Sequence, residues 1–140
     1  MILGLENNAE KQTIMEIFFS FEYVRDYFQK NPNTLFSLSC KWSEQSPDYI
    51  EMIYGENFTV PENLPVLHWN ISNFDAVKYF VEKGVDTKHY FYGDYWGTAL
   101  DYAIERRDIL KQTEVDIYLE DWKEQQLNTY NKIIDYLETK

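Results

Sequence analysis

Two histidines, one cysteine and 24 acidic residues are the groups in this 140-residue chain whose types could do chemistry. His68 and His89 would serve as acid–base groups or metal ligands if a carboxylate or thiolate stood at a matching spacing. His89 has no carboxylate or cysteine partner spaced as a triad or a zinc site. Cys40 is alone, which excludes an intrachain disulfide, and it reads as a small buried hydrophobe rather than a nucleophile. Carboxylates are plentiful but form no acid–base motif, and the five glycines scatter with no phosphate-cradling run. The expectation is a non-enzymatic chain with no catalytic residues, no metal and no cofactor.

Recognition chemistry is better represented. The stretch HYFYGDYWG, residues 89 to 97, sets Tyr90, Phe91, Tyr92, Tyr95 and Trp96 around Gly93-Asp94. Aromatics make up 18% of the chain, more than a core of this size needs dry, so some Tyr and Trp rings are expected half-exposed. A second feature runs from Trp42 to Ala76. Six acids (Glu44, Asp48, Glu51, Glu56, Glu62 and Asp75) stand there among Trp42, Tyr49, Tyr54, Phe58 and Trp69, with no Lys or Arg. Carboxylates beside rings suit a basic protein surface, where Arg pairs with one and stacks on the other. The plainer alternative is a solvated face whose rings belong to the core.

The formal net charge is −11, which argues against direct nucleic-acid binding and against an anionic membrane surface. A partner with a basic surface is the complementary expectation; simple solubility is the alternative. The first residues, MILGLENNAEK, turn acidic and polar too early for a secretion signal, and no apolar run is long enough to span a bilayer. The cytoplasm is the expected compartment. At 44% hydrophobic and 26% charged residues, the chain reads as one globular domain, 1–140.

The elements that must position these residues recur along the chain. VLHWNI (66–71) aligns with ALDYAI (99–104) at a spacing of 33, pairing Leu67 with Leu100, His68 with Asp101 and Ile71 with Ile104. DAVKYFVEKGVD (75–86) places Val77, Phe80 and Val81 on one helical stripe that stops at Gly84, a short amphipathic helix with a glycine cap. NKIIDYLETK (131–140) repeats it with Ile133, Tyr136 and Leu137. Weaker copies are PDYIEMIYG (47–55) and FEYVRDYFQKNPN (21–33). The unit is helix, turn, helix, glycine, loop.

Pro65-Val66-Leu67-His68, then Val77 to Asp86 with Gly84, then Gly97-Thr98-Ala99-Leu100-Asp101 together resemble the ankyrin-repeat family. They look like its Thr-Pro-Leu-His helix start, its second helix and the next repeat's Gly-Thr-x-Leu. Pro65 sits one position early for that pattern. The resemblance implies an all-α, ankyrin-like stack of helix-turn-helix repeats with short hairpin loops. Degenerate repeats would occupy about 5–62, the clearest repeat 64–97 and the last 98–140, with a helical insertion over about 106–128. It also implies a structural hydrogen-bonding role for His68, and a hairpin-like loop at 85–97 with Gly93-Asp94 near its tip. Alternation along such a loop turns about half the rings inward and half outward.

In the last repeat, NKIIDYL arrives about 23 residues later than the middle repeat sets. The inserted stretch lacks Gly and Pro. Val115, Leu119 and Trp122 make a stripe that Tyr130, Ile133 and Leu137 continue, and Thr113 with Asp116 reads as a capping box. The expectation is a lengthened C-terminal helix pair whose second helix runs near 114–139.

The combined expectation is a protein-binding domain, in its sharpest form an acidic inhibitor or immunity-type protein that neutralises a basic partner such as a toxin nuclease. Tyr90, Phe91, Tyr92, Asp94, Tyr95, Trp96, Trp69, Glu56 and Glu62 are the expected contact residues. A general ankyrin adaptor, a DNA mimic using carboxylates in place of phosphates, and a small ligand-binding protein with an aromatic pocket are the alternatives. The sequence leaves the oligomeric state open.

Overall fold

A computed structural model describes residues 17, 21–30, 47–48, 50–51 and 55–140. Helix accounts for 62% of them. Among them the one pairing of extended chain is a single antiparallel bridge between Phe91 and Gly97, so the fold is all-α. The chain divides into two compact units, 1–61 and 62–140. Cys40, Trp42, Glu44, Tyr49 and Tyr54 lie outside the described residues.

In the first unit, helix α1 spans Glu22–Lys30 and buries Val24, while Tyr27 on the expected stripe is exposed. Pro47, Asp48, Ile50 and Glu51 are helical, and Ile50 is fully buried. The Gly55 amide donates to Glu51 O at 2.7 Å with Gly55 at φ +84°, so the glycine that closes PDYIEMIYG stands in a conformation that L side chains rarely adopt.

The second unit is built from four helices: α2 (Val66–Trp69), α3 (Phe74–Glu82), α4 (Ala99–Gln112) and α5 (Glu120–Glu138). Helix α2 is a single turn with Pro65 at its N-cap. The buried Asn70 amide donates to Val66 O at 2.9 Å, satisfying a carbonyl that so short a helix would leave open. Asn73 caps α3, its Oδ1 accepting from the Ala76 amide at 3.1 Å. At the other end, the Gly84 amide donates to Val81 O and the Val85 amide to Phe80 O, with Gly84 at φ +93°. That bond pair is a Schellman motif, and the left-handed residue it requires is the glycine the sequence supplies.

Helices α2 and α4 begin 33 residues apart, at Val66 and Ala99, and pack on each other. Helix α3 packs on α2 and on α5, and α5 packs mainly along α4. Between them lie the fully buried Val66, Val77, Phe80 and Ile133, with Leu137 almost so. The small buried residues Ala76, Ala99 and Ala103 leave room for close approach of the backbones. Phe74 locks α3 to α5: its ring meets Tyr136 edge-on at 5.5 Å, and the Lys132 ammonium sits 4.2 Å from its centroid.

The C-terminal pair is lengthened. Helix α4 has 14 residues against four in α2, and α5 has 19 against nine in α3. The connection differs from the sequence expectation. Thr113 ends α4, its hydroxyl donating back to Ile109 O at 2.7 Å, and Asp116 makes no side-chain cap bond. Both have extended ψ, so the chain turns through a 3₁₀ segment at Ile117–Leu119 before α5 starts at Glu120. The capping box of this unit lies at Thr98 and Asp101 instead. The Asp101 amide donates to Thr98 Oγ1 at 3.2 Å, and the Thr98 amide donates to Asp101 Oδ2 at 3.1 Å.

Replacing Thr98 by Ala removes one half of that box and is expected to cost about 1 kcal/mol. The Thr98→Ser variant retains the bond and most of the stability. Urea unfolding at unchanged m-value is the check; equal midpoints for Thr98→Ala and the parent chain would remove the box from the account.

Candidate functional site

The aromatic loop is held at both ends. From residue 85 to residue 92 burial alternates, odd positions partly covered and even positions exposed. Asp86 Oδ1 accepts from the Lys88 amide at 2.8 Å and turns the chain away from α3. The Phe91 amide donates to Gly97 O at 3.1 Å and the Gly97 amide to Phe91 O at 2.8 Å. This closes residues 92–96 into a small lobe that turns at Gly93, φ +95°.

His68 anchors the lobe from below. The imidazole is 3% exposed, and its Nε2 stands 3.1 Å from Gly97 O. Since the carbonyl only accepts, Nε2 carries the proton and donates. Nδ1 is buried and meets no donor among the described residues. The ring also lies edge-on to Phe91 at 5.1 Å and to Tyr95 at 6.5 Å, and tilts against Tyr102 at 5.3 Å. Burial lowers its pKa from 6.5, because a second proton would create a desolvated cation; the bond to Gly97 and the nearby Asp101 oppose this and are outweighed. Burial also lifts the Tyr102 phenol above its usual value.

Gly97 is required for two reasons. Its φ is +83°, and a Cβ there would meet the Asp101 Cβ at 3.0 Å. The position therefore couples the lobe, the His68 bond and the start of α4.

Of the expected contact residues, the lobe collects six. Tyr92 is 87% exposed and tilts against the exposed Tyr90, their centroids 5.0 Å apart. Tyr95 and Trp96 are exposed, the latter at 45%, and Asp94 is exposed beside them. Phe91 turns inward, against His68 and His89, and Tyr95 rests one side on His68 and Tyr102. The division is thus one ring covered, Tyr95 shared between His68 and solvent, and Tyr90, Tyr92 and Trp96 outward. Trp69, at the end of α2, is half-buried, and Glu62 is exposed ahead of α2. Glu56 is exposed but belongs to the first unit.

The surface that sequence reasoning did not single out is the tip of the α4–α5 hairpin. Ile117, Tyr118, Leu119 and Trp122 are all exposed there, Tyr118 at 91%. Leu119 and Trp122 belong to the stripe read from the sequence, and that stripe is buried only from Tyr130 onward. Among the described residues, no group of three or more His, Cys, Asp or Glu is arranged to hold a metal ion, and no helix is long and apolar enough to cross a membrane. Comparison with protein-family models, curated proteins and solved structures returns no match.

Two outcomes follow from the anchor. The unfolded chain takes up the His68 proton near pH 6.5, before the folded chain does, so the stabilisation from neutral His68 is complete above that value and is lost as pH falls toward the lower folded pKa. Melting temperature should drop between about pH 7 and pH 5, and His68→Gln, which cannot titrate, should flatten that profile while lowering stability at neutral pH. An unchanged profile in His68→Gln would contradict the assignment. Separately, Gly97→Ala should lose about 1–2 kcal/mol in denaturant unfolding; a neutral result would show that the left-handed conformation is not required.

Proposed function

We propose that this chain is a non-enzymatic protein-binding domain of ankyrin-like build, and more sharply an acidic inhibitor or immunity-type protein that neutralises a basic protein partner such as a toxin nuclease. The observation that carries the reading is the anchored lobe: Tyr90, Tyr92, Tyr95 and Trp96 exposed around Asp94, on a loop fixed by the Phe91–Gly97 bridge and by His68. Rings held on a fixed loop give large contact area at little entropic cost on binding. The net charge of −11 supports a partner of opposite sign, whose Arg side chains would pair with carboxylates and stack on rings.

The ankyrin-like build is supported by the 33-residue offset of α2 and α4, by the packing of α2 on α4 and of α3 on α5, and by the projecting loop between the pairs. His68 is buried with Nε2 engaged, which favours a packing role over acid–base chemistry. A basic enzyme bound through the lobe would have its cleft faced by carboxylates where a nucleic-acid substrate presents phosphates.

Affinity capture from the native host, run in parallel with the Tyr92→Ala, Trp96→Ala double variant, tests the reading. The parent chain is expected to retain a basic protein that is released by salt and whose activity it inhibits, and the variant to retain it at least about tenfold more weakly with its fold intact. Equal capture by both chains would refute the lobe as the contact surface. A small molecule that raises the melting temperature with no protein retained would favour a ligand pocket instead.

A further inference from the structure

We infer that the tip of the α4–α5 hairpin is a second docking surface, independent of the aromatic lobe, for a cationic amphipathic segment of another protein. Gln126 Nε2 reaches Ser72 O, in the turn between α2 and α3, at 3.4 Å. The hairpin N-terminal to Gln126 on α5 therefore lies beyond that turn, with neither α2 nor α3 alongside it. The surplus length of α4 and α5 carries the tip about 15 Å past the neighbouring pair, and α4 separates it from the lobe by about 20 Å. Single exposed apolar side chains need no explanation, but four adjacent ones at the end of a projecting hairpin do.

Ile117 (75% exposed), Tyr118, Leu119 and Trp122 (49%) form the apolar part. The charges around them are acidic: Glu114, Asp116, Glu120, Asp121 and Glu124. Lys123 is the one basic residue between Thr113 and Gln125. Its ammonium turns back onto the end of α4, donating to Thr113 O at 2.7 Å and Lys111 O at 3.3 Å, where it satisfies carbonyls the helix leaves open. Beside the tip, an open hollow of ≈ 460 Å³ is lined by Val115 and Leu127, by Glu114, Glu120 and Glu124, and by the stem of Lys123.

Exposed apolar side chains flanked by an excess of carboxylates are complementary to a helix that carries aliphatic side chains on one face and Lys or Arg along its borders. The same acids disfavour the other occupants. Two tips would repel each other, and anionic headgroups would repel the tip.

The test uses the full chain and a dye-labelled helical peptide with leucines on one face and lysines on the other, titrated by fluorescence anisotropy. The parent chain should bind it at least about tenfold more tightly than a peptide with glutamates in place of the lysines. Ile117→Ser with Trp122→Ala, which keeps every charge, should weaken binding by about tenfold, and Glu120→Lys with Glu124→Lys should do the same while leaving the apolar residues in place. Tyr92→Ala with Trp96→Ala should bind within about twofold of the parent. Circular dichroism confirms that each variant is folded. Binding unaffected by either tip variant, or lost in the lobe variant, would overturn the assignment. So would tip-dependent self-association in sedimentation, or tip-dependent partition onto zwitterionic vesicles.

Discussion

The buried bond from His68 Nε2 to Gly97 O joins residues 29 apart in sequence, and much of the local geometry of the second unit depends on it. It ties the single turn of α2 to the residue that closes the aromatic lobe, one position before the cap of α4. A hydrogen bond of this kind contributes only about 1 kcal/mol net, and it falls on a carbonyl that also accepts from the Phe91 amide, so the imidazole and the bridge share one acceptor. The imidazole is held neutral by its burial, and its faces and edges carry Phe91, Tyr95 and Tyr102. Gly97 then has no freedom to change, since its left-handed backbone and its contact with Asp101 are parts of the same joint.

Two surfaces follow from where the chain is and is not covered. At one end of α4 the lobe is pinned through its backbone and through Phe91 and Tyr95, while Tyr90, Tyr92 and Trp96 face outward. At the other end the hairpin outruns its neighbours, and the residues that would have been core further along α5 meet solvent instead. Both surfaces combine rings with carboxylates, in keeping with a chain that has 24 acidic residues against 13 basic ones. Opposite ends of one rigid helix suit two separate contacts better than one continuous interface.

What the sequence made legible was mostly local. The Val77–Phe80 stripe and Gly84 mark α3 and its end because a Schellman turn demands a left-handed residue at a fixed offset. The 33-residue offset of VLHWNI and ALDYAI marks the true starts of α2 and α4. The lobe was legible as an outward loop, though not which of its rings rest on His68. The resemblance implied a hydrogen-bonding role for His68, but its partner Gly97, 29 residues on, was beyond pattern reading. At Thr113 the local signal misled: Thr-x-x-Asp occurs there as it does at Thr98, but only Thr98 is followed directly by helix. Helical periodicity also could not distinguish Leu119 and Trp122 from Ile133 and Leu137, because whether a stripe is buried depends on the length of the neighbouring helices.

Amide hydrogen exchange at Phe91 and Gly97 tests the central claim most directly, since both amides are donors in the bridge that closes the lobe. In the parent chain the two amides should exchange slowly and together. In His68→Ala they should become fast while the amides around Ile133 in α5 stay protected. Fast exchange at both sites in the parent chain, or unchanged protection after His68 is removed, would contradict the claim that this one buried bond holds the lobe in place.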